Sequence, residues 1–290
     1  MLNAQCLSKA FGDKRVLDQL NLEVGESSIF GLVGVNGAGK STFLRCVAGI
    51  YEADEGTICF DGENTFLNPA IRKEIFLVSD DPYFPMAANI RTLKEFYQSF
   101  YTLDEPVYQR LLKLFSLEEN KPIASFSKGM KRQTLLLFAL SAKPKLLLLD
   151  EAFDGLDPIV RMELKRTLYE YIQEEGSTII ISSHNLKELE DICDSFGILE
   201  DGKISTYGDL LESKQNINKY QMAFKEEIDE GFFDEFDVLH SKKEGSVYSL
   251  VIKGDKDEIE EKIKALNPLV FDTLSVNFEE LFIYEHEGGK

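Results

Sequence analysis

The segment Gly34-Val35-Asn36-Gly37-Ala38-Gly39-Lys40-Ser41-Thr42 constrains this chain more than any other stretch. It follows the apolar run 29–33 and opens a helical pattern over 40–48, the strand-turn-helix context that a phosphate-binding loop requires. Glycines at 34, 37 and 39 let the backbone close into a concave nest whose N–H groups point inward, and the helix N-terminus behind it adds positive potential. A side chain at Gly39 is expected to fill that nest. Asn36, Gly37, Ala38 and Gly39 would then line the phosphates of a nucleotide. Lys40 is expected to bridge the β- and γ-phosphates, Ser41 to ligate Mg2+, and Thr42 to bond to phosphate oxygens nearby. The competing reading is a glycine-rich turn with a fortuitous Lys-Ser, and the loop alone does not choose among nucleotide reactions.

The rest of the chain supplies the frame. Runs rich in Ile, Leu, Val and Phe at 29–33, 75–78, 146–149 and 178–181 read as strands buried on both faces, as in a parallel sheet. Helical patterns at 40–48, 93–101, 127–141 and 159–174 alternate with them, which predicts an α/β fold with crossover helices and active residues at the strands' C-terminal ends. The stretch 82–144 lacks strand-like runs and reads as a helical insert within a domain spanning 1–212. From Glu212 onward there are 19 acidic and 10 basic residues and no arginine. That tail, 213–290, is expected to be a small α+β domain with strands at 219–224, 246–252 and 269–276 and helices at 256–266 and 278–284. Asp257 and Glu260 have capping-box spacing, and Ile259, Ile263 and Leu266 share one helix face.

Composition excludes several functions. The longest apolar stretch, 135–142, is far short of the ~20 residues of a membrane-spanning helix. A net charge of −19 disfavours nucleic acid as a partner and leaves no polybasic patch for anionic lipid. The N-terminus has no secretory pattern, and the four cysteines, at 6, 46, 59 and 193, are scattered singly; the expectation is a cytoplasmic chain with reduced thiols, mostly in the core.

Further motifs narrow the chemistry. Leu146-Leu-Leu-Leu-Asp150-Glu151 is a buried strand ending in two acids: Asp150 is placed to hold Mg2+, and Glu151 to act as general base on a water. Downstream lie Gly155-Leu156-Asp157-Pro158 and Ser182-Ser183-His184; upstream lies Ser127-Lys128-Gly129-Met130. With 23 residues from Ser127 to Asp150 and 34 from Asp150 to His184, this order over residues 2 to about 210 resembles the ATP-binding cassette (ABC) family.

The resemblance implies an ATP-hydrolysing P-loop core that works as a head-to-tail pair, one cassette's loop facing the other's signature segment. Ser127 and the Gly129 amide would clamp the γ-phosphate across the interface, although Ser127 also reads as a plain helix N-cap. It further implies that His184 positions the attacking water, that Asp157 links the two sites, and that Phe11, with Val16 beside it, stacks on adenine. Phe11 as a core residue stays open. The partners implied are a second cassette and a separate transmembrane permease, which would hold the chain at the inner face of the membrane. Tyr83, Phe84, Pro85 and Met86 are the candidate docking cluster.

The chain departs from the family pattern twice. Lys128 replaces a signature glycine, a variant that resembles single-cassette bacterial transporter ATPases and points to export; Lys128 is a candidate phosphate contact. Asp80 stands where the family has a Mg2+-contacting glutamine, and is a candidate metal ligand. The alternatives are a soluble ABC ATPase and a non-hydrolysing, ATP-dependent switch.

Overall fold

The computed structural model describes residues 1–209, 217–225, 230–276 and 280. The chain divides into two compact units, Met1–Tyr207 and Gly208–Lys290.

The first unit opens on strands β1 (Leu2–Phe11) and β2 (Lys14–Val24), a hairpin turned at Gly12 with φ 60°. Leu20, Leu22 and Val24 are buried while Asn21 and Glu23 between them are exposed, the period-2 pattern of a strand with one wet face. Strands β3 (Ile29–Val33), β4 (Glu55–Phe60) and β5 (Glu63–Asn64) follow, with helix α1 (Lys40–Val47) after β3. The antiparallel sheet runs β2-β1-β4-β5. None of its strands was expected, because their half-exposed alternation lacks the continuous apolar runs by which the buried strands were recognised.

Next come α2 (Pro69–Arg72), β6 (Ile75–Val78), then three helices, α3 (Ile90–Gln98), α4 (Glu105–Leu114) and α5 (Lys128–Ser141). Helix α3 begins three residues before the expected start: Asn89 accepts from the Thr92 amide while Thr92 Oγ1 accepts from the Asn89 amide, a reciprocal cap that fixes the first turn. The unit closes with β7 (Leu146–Asp150), α6 (Pro158–Glu175), β8 (Thr178–Ser183), α7 (Leu186–Glu190), β9 (Ser195–Glu200) and β10 (Lys203–Asp209). The second sheet has the order β10-β9-β3-β8-β7-β6, and the β9-β3-β8-β7-β6 pairs are parallel. All four expected buried strands lie in it; β7 and β8 each run on past the apolar residues, to Asp150 and Ser183.

Both sheets share one core. Leu2, Leu7, Leu17 and Leu22 of the antiparallel sheet cluster with Phe43, Leu44 and Val47 of α1 and with Phe30, Leu32, Leu148 and Ile180 of the parallel sheet. Burying one such side chain contributes about 1.5–3 kcal/mol, so the apolar face of α1 does as much as any strand to fix where the phosphate loop sits. Cys46 and Cys193 are buried and Cys6 is exposed, so only part of the cysteine set is core material.

The second unit is α+β. Strands β11 (Ile217–Ala223), β12 (Asp237–Glu244), β13 (Val247–Lys253) and β14 (Val270–Leu274) form an antiparallel sheet of order β12-β13-β11-β14, and α8 (Lys256–Ala265) buries Ile259 and Ile263 among Tyr220, Met222, Leu250 and Ile252. The helix is capped by Asp255, which accepts from the Glu258 amide at 3.1 Å, rather than by Asp257, because the helix already begins at Lys256 and Asp257 lies inside its first turn. The expected helix 278–284 falls almost entirely outside the described residues.

Candidate functional site

The parallel register decides what meets what. Val33, the last residue of β3, pairs with Ser183, and Asp150, the last of β7, pairs with Ser182. The phosphate loop, the two acids and His184 therefore leave the sheet side by side at its C-terminal edge, where parallel sheets bind ligands.

Each glycine of the loop has its own reason. Gly34 lets the loop pass β9: a Cβ there would stand 2.7 Å from the Leu199 carbonyl oxygen. Gly37 has φ 86° and open space around it. Gly39, at φ 111°, corrects the expectation that a side chain would fill the nest, because its Cβ would meet Val16 O at 3.0 Å and the Leu17 side chain at 3.1 Å. The left-handed backbone at 39 and the close approach of the loop to β2 together disfavour a side chain there. The same contact places Val16 against the loop.

Lys40 is 5% exposed and folds back over the loop, donating to Gly34 O at 2.5 Å and to Val35 O at 3.3 Å, with Glu151 Oε1 at 3.2 Å. The other oxygen of Glu151 lies 2.9 Å from His184 Nδ1 and 3.4 Å from the His184 amide. Glu151 itself adopts φ 50°, a left-handed conformation that L-residues rarely occupy, held by its amide donating to both oxygens of Ser182 at 3.1–3.2 Å. Ser182 Oγ in turn donates to Asp150 Oδ1 at 2.7 Å, fixing the carboxylate at a position 2% exposed. Asp154 adds a third ligand-type atom, within 4.8 Å of those of Glu151 and His184.

The donor set suits a nucleoside triphosphate with a hard divalent cation: an open, positive-φ turn at Gly37, one buried ammonium, a helix N-terminus, a hydroxyl on Ser41 and a carboxylate on Asp150. Asn36 is exposed on the loop's turn and Ala38, Ser41 and Thr42 are half-buried behind it.

Phe11 is 46% exposed, so the core alternative is set aside. Its ring packs edge-on against Tyr51 at 5.3 Å, with Lys9 5.6 Å from its centre. Lys9 is itself bound to Asp54, whose carboxyl is held below the ordinary range first by that ammonium and then by the Ala10 amide. The platform is thus braced from β1 and from the segment after α1.

Ser127 caps α5, accepting from the Met130 amide at 3.2 Å, and Gly129 lies against the Gly155 carbonyl, 2.7 Å from where a Cβ would stand. Asp157 caps α6 through the amides of Ile159 and Val160. Asp80 departs from its expected role. Its carboxylate is bonded to Arg132 and lies 3.1 Å from Lys128 Nζ, so it is neutralised by α5 instead of being offered to a cation, and Lys128 is engaged there too. Arg132 and Ser182 had no assigned role in the sequence. A lone arginine in the otherwise apolar face of α5 was the available signal for the first.

A phosphate loop converging with strand-end acids at the C-terminal edge of a parallel sheet marks a P-loop ATPase core. Residues 17–154 match the family model described as ABC transporter. The chain is 32% identical over 294 residues to the ABC transporter ATP-binding protein YtrB of Bacillus subtilis (strain 168), covering 100% of this chain and 99% of that one. It is 34% identical over 206 residues to the lantibiotic transport ATP-binding protein SrtF of Streptococcus pyogenes, covering 70% of this chain and 89% of that one. A solved structure of an ATP-binding subunit of an ABC transporter superposes with a TM-score of 0.68 at 30% identity, over 74% of this chain and 92% of that one. The chain belongs to the ATP-binding proteins of ABC transporters, a family of ATPases. Among the described residues, no helix is long and apolar enough to cross a membrane.

Proposed function

We propose that this chain hydrolyses ATP as one of a pair of cassettes and so drives a separate membrane permease, in the direction of export. The observation that carries the hydrolytic reading is the linkage of Lys40, Glu151 and His184 in one hydrogen-bonded cluster beside Asp150. Glu151 is the general base. Its proton-accepting oxygen is oriented by His184 Nδ1 and its backbone by Ser182, so the carboxylate is aimed before water arrives. Lys40, Ser41, Thr42 and the amides of residues 36–39 hold the triphosphate, with Phe11 and Val16 on the adenine side. Mg2+, held by Ser41 and Asp150, would supply charge neutralisation at the β- and γ-oxygens. Asp80 is left out of the metal set.

Pairing is supported by α5. The Ser127-capped turn presents the Gly129 amide at a helix N-terminus, an anion-binding device with no part in this chain's own Lys40–Glu151 cluster, which fits a role toward a second cassette's nucleotide. A permease partner is supported by the segment after β6, where Tyr83 and Met86 are 88% and 93% exposed. Docking there would place the chain on the cytoplasmic face of a membrane. Export is supported by the kinship with SrtF, a transport protein for a lantibiotic.

The test is ATPase activity against protein concentration with Mg2+, wild type beside Glu151→Gln. Turnover that rises faster than linearly, and falls by about 10²–10⁴ in the variant, is the expected result. Linear dependence would remove the pair, and equal activity of the two proteins would remove Glu151 as base.

A further inference from the structure

Arg132 does something the motifs around it do not explain. It is 1% exposed, one turn into α5 from Ser127, and its guanidinium reaches two other segments. One terminal nitrogen donates to the backbone carbonyl of Asp80 at 3.1 Å and to the Asp80 carboxylate; the other donates to the backbone carbonyl of Asp154. Lys128, at the head of the same helix, adds its ammonium to Asp80 Oδ1 at 3.1 Å. Asp80 follows β6, on the stretch that carries the exposed Tyr83 and Met86, while Asp154 stands between Glu151 and Asp157.

We propose that Arg132 is a positioning residue for the hydrolytic reaction, a buried latch that sets the Ser127–Gly129 turn against both the Asp80 segment and the Asp154–Gly155 turn. The geometry is well suited to this. A guanidinium is planar and rigid, so two of its nitrogens fix the relative placement of two backbone segments in a way a single ammonium cannot. Asp80 makes the latch electrically possible, since a guanidinium this deeply buried requires a paired carboxylate. The contact of Gly129 with Gly155 O continues the same seam on the far side of the turn. A shift of the permease-facing segment would therefore reach the signature turn through Asp80 and Arg132. None of these atoms touches Lys40 or the phosphate loop, so the latch should govern turnover and leave nucleotide affinity of the single chain alone.

The proposal rests on the hydrolytic reading above. Its test uses full-length wild type, Asp80→Asn, Arg132→Lys and the double variant, each measured for kcat and, separately, for binding of ATP in a titration of the dilute chain. Both single variants should lose about tenfold or more in kcat, because misplacing reacting groups by about 1 Å costs on that order, up to ~10²-fold. ATP affinity should stay within about twofold, and the double variant should be no slower than the worse single one, since one device can be broken only once. Asp80→Asn keeps an oxygen that can accept from Arg132 and sits at a partly exposed position, so it is expected to fold with a lowered melting temperature even if Arg132→Lys does not; a thermal melt of each protein verifies this. Losses that multiply in the double variant, kcat within about twofold of wild type in Asp80→Asn, or a parallel fall in ATP affinity would each overturn the latch. A wild-type chain that binds ATP without turning it over would overturn the hydrolytic reading and the latch together.

Discussion

Alanine at Gly129 sets two opposing effects of known size against each other. Gly129 is the second residue of α5 and has no positive φ, so the backbone itself accepts alanine. Replacing a helical glycine gains up to about 1 kcal/mol in backbone entropy, and less in the first turn. Against this, the new methyl would sit 2.7 Å from the carbonyl oxygen of Gly155. Relieving such an approach to ordinary contact requires one of the two turns to move by about 0.7 Å or more. Overpacking of this kind costs about 1–3 kcal/mol, which leaves a net destabilisation of about 0–3 kcal/mol. At roughly 2–4 °C per kcal/mol, Tm should fall by no more than about 12 °C, and the protein should remain folded at room temperature. Turnover is far less tolerant: in the proposed pair the Gly129 amide faces phosphate and Gly155 precedes Asp157, so a displacement on this scale should lower kcat about tenfold or more. The assay is kcat at saturating ATP beside a thermal melt and an ATP titration. A folded Gly129→Ala protein with wild-type kcat would show that the seam between the two turns has slack and does not position the site.

Three further outcomes are expected. Ser182→Ala removes the hydroxyl that donates to Asp150 and accepts from the Glu151 amide, and should cost about 1–3 kcal/mol in urea unfolding along with a fall in kcat; unchanged stability would mean that water replaces the hydroxyl. Phe11→Ala should weaken ATP binding about twofold to tenfold and leave binding of tripolyphosphate unchanged, an equal effect on both ligands being evidence against adenine stacking. Asp104 caps α4 through the Val107 amide and pairs with Lys143, and these hold its folded pKa below the ordinary value, the amide first. Its contribution is therefore full at neutral pH and is lost as the pH falls through the folded pKa. Asp104→Ala should cost about 1 kcal/mol at pH 7, and its Tm deficit should shrink below the ordinary carboxylate range.

How much of this was legible in the sequence depended on whether a residue's neighbours in space are also its neighbours in the chain. The phosphate loop, the paired acids after Leu149 and the buried strands were readable, because a strand buried on both faces must be apolar throughout. The antiparallel sheet was not, because strands such as Lys14–Val24 expose every second residue and blend with amphipathic loops. The cap falls at Asp255 and not at Asp257, since spacing alone does not show which of two nearby acids has the extended backbone of a cap. At the site, Asp80 looked like a metal ligand only while its partner was unknown: Arg132 lies 52 residues away in sequence, and their pairing exists only once α5 has packed beside β6. Gly39 shows the converse. The need for glycine is legible in the loop motif, but part of its cause, the approach of Val16 O and Leu17 beside the left-handed backbone, lies in the sheet that the sequence concealed.

The fold of Lys40 onto Gly34 O, Val35 O and Glu151 has a consequence for the order of events in a catalytic cycle. On the proposed reading, nucleotide entry would be an exchange of oxygens: the ammonium would leave two carbonyls and a carboxylate and take phosphate oxygens in their place. The binding enthalpy is accordingly a difference between two well-satisfied states, and much of the affinity must come from the loop amides and the adenine platform. What the exchange releases is Glu151 Oε1, which lies 3.2 Å from the ammonium before nucleotide binds. On the proposed reading, one carboxylate oxygen therefore serves two partners in turn: it holds the Lys40 ammonium at first and is left free once a triphosphate has taken that ammonium.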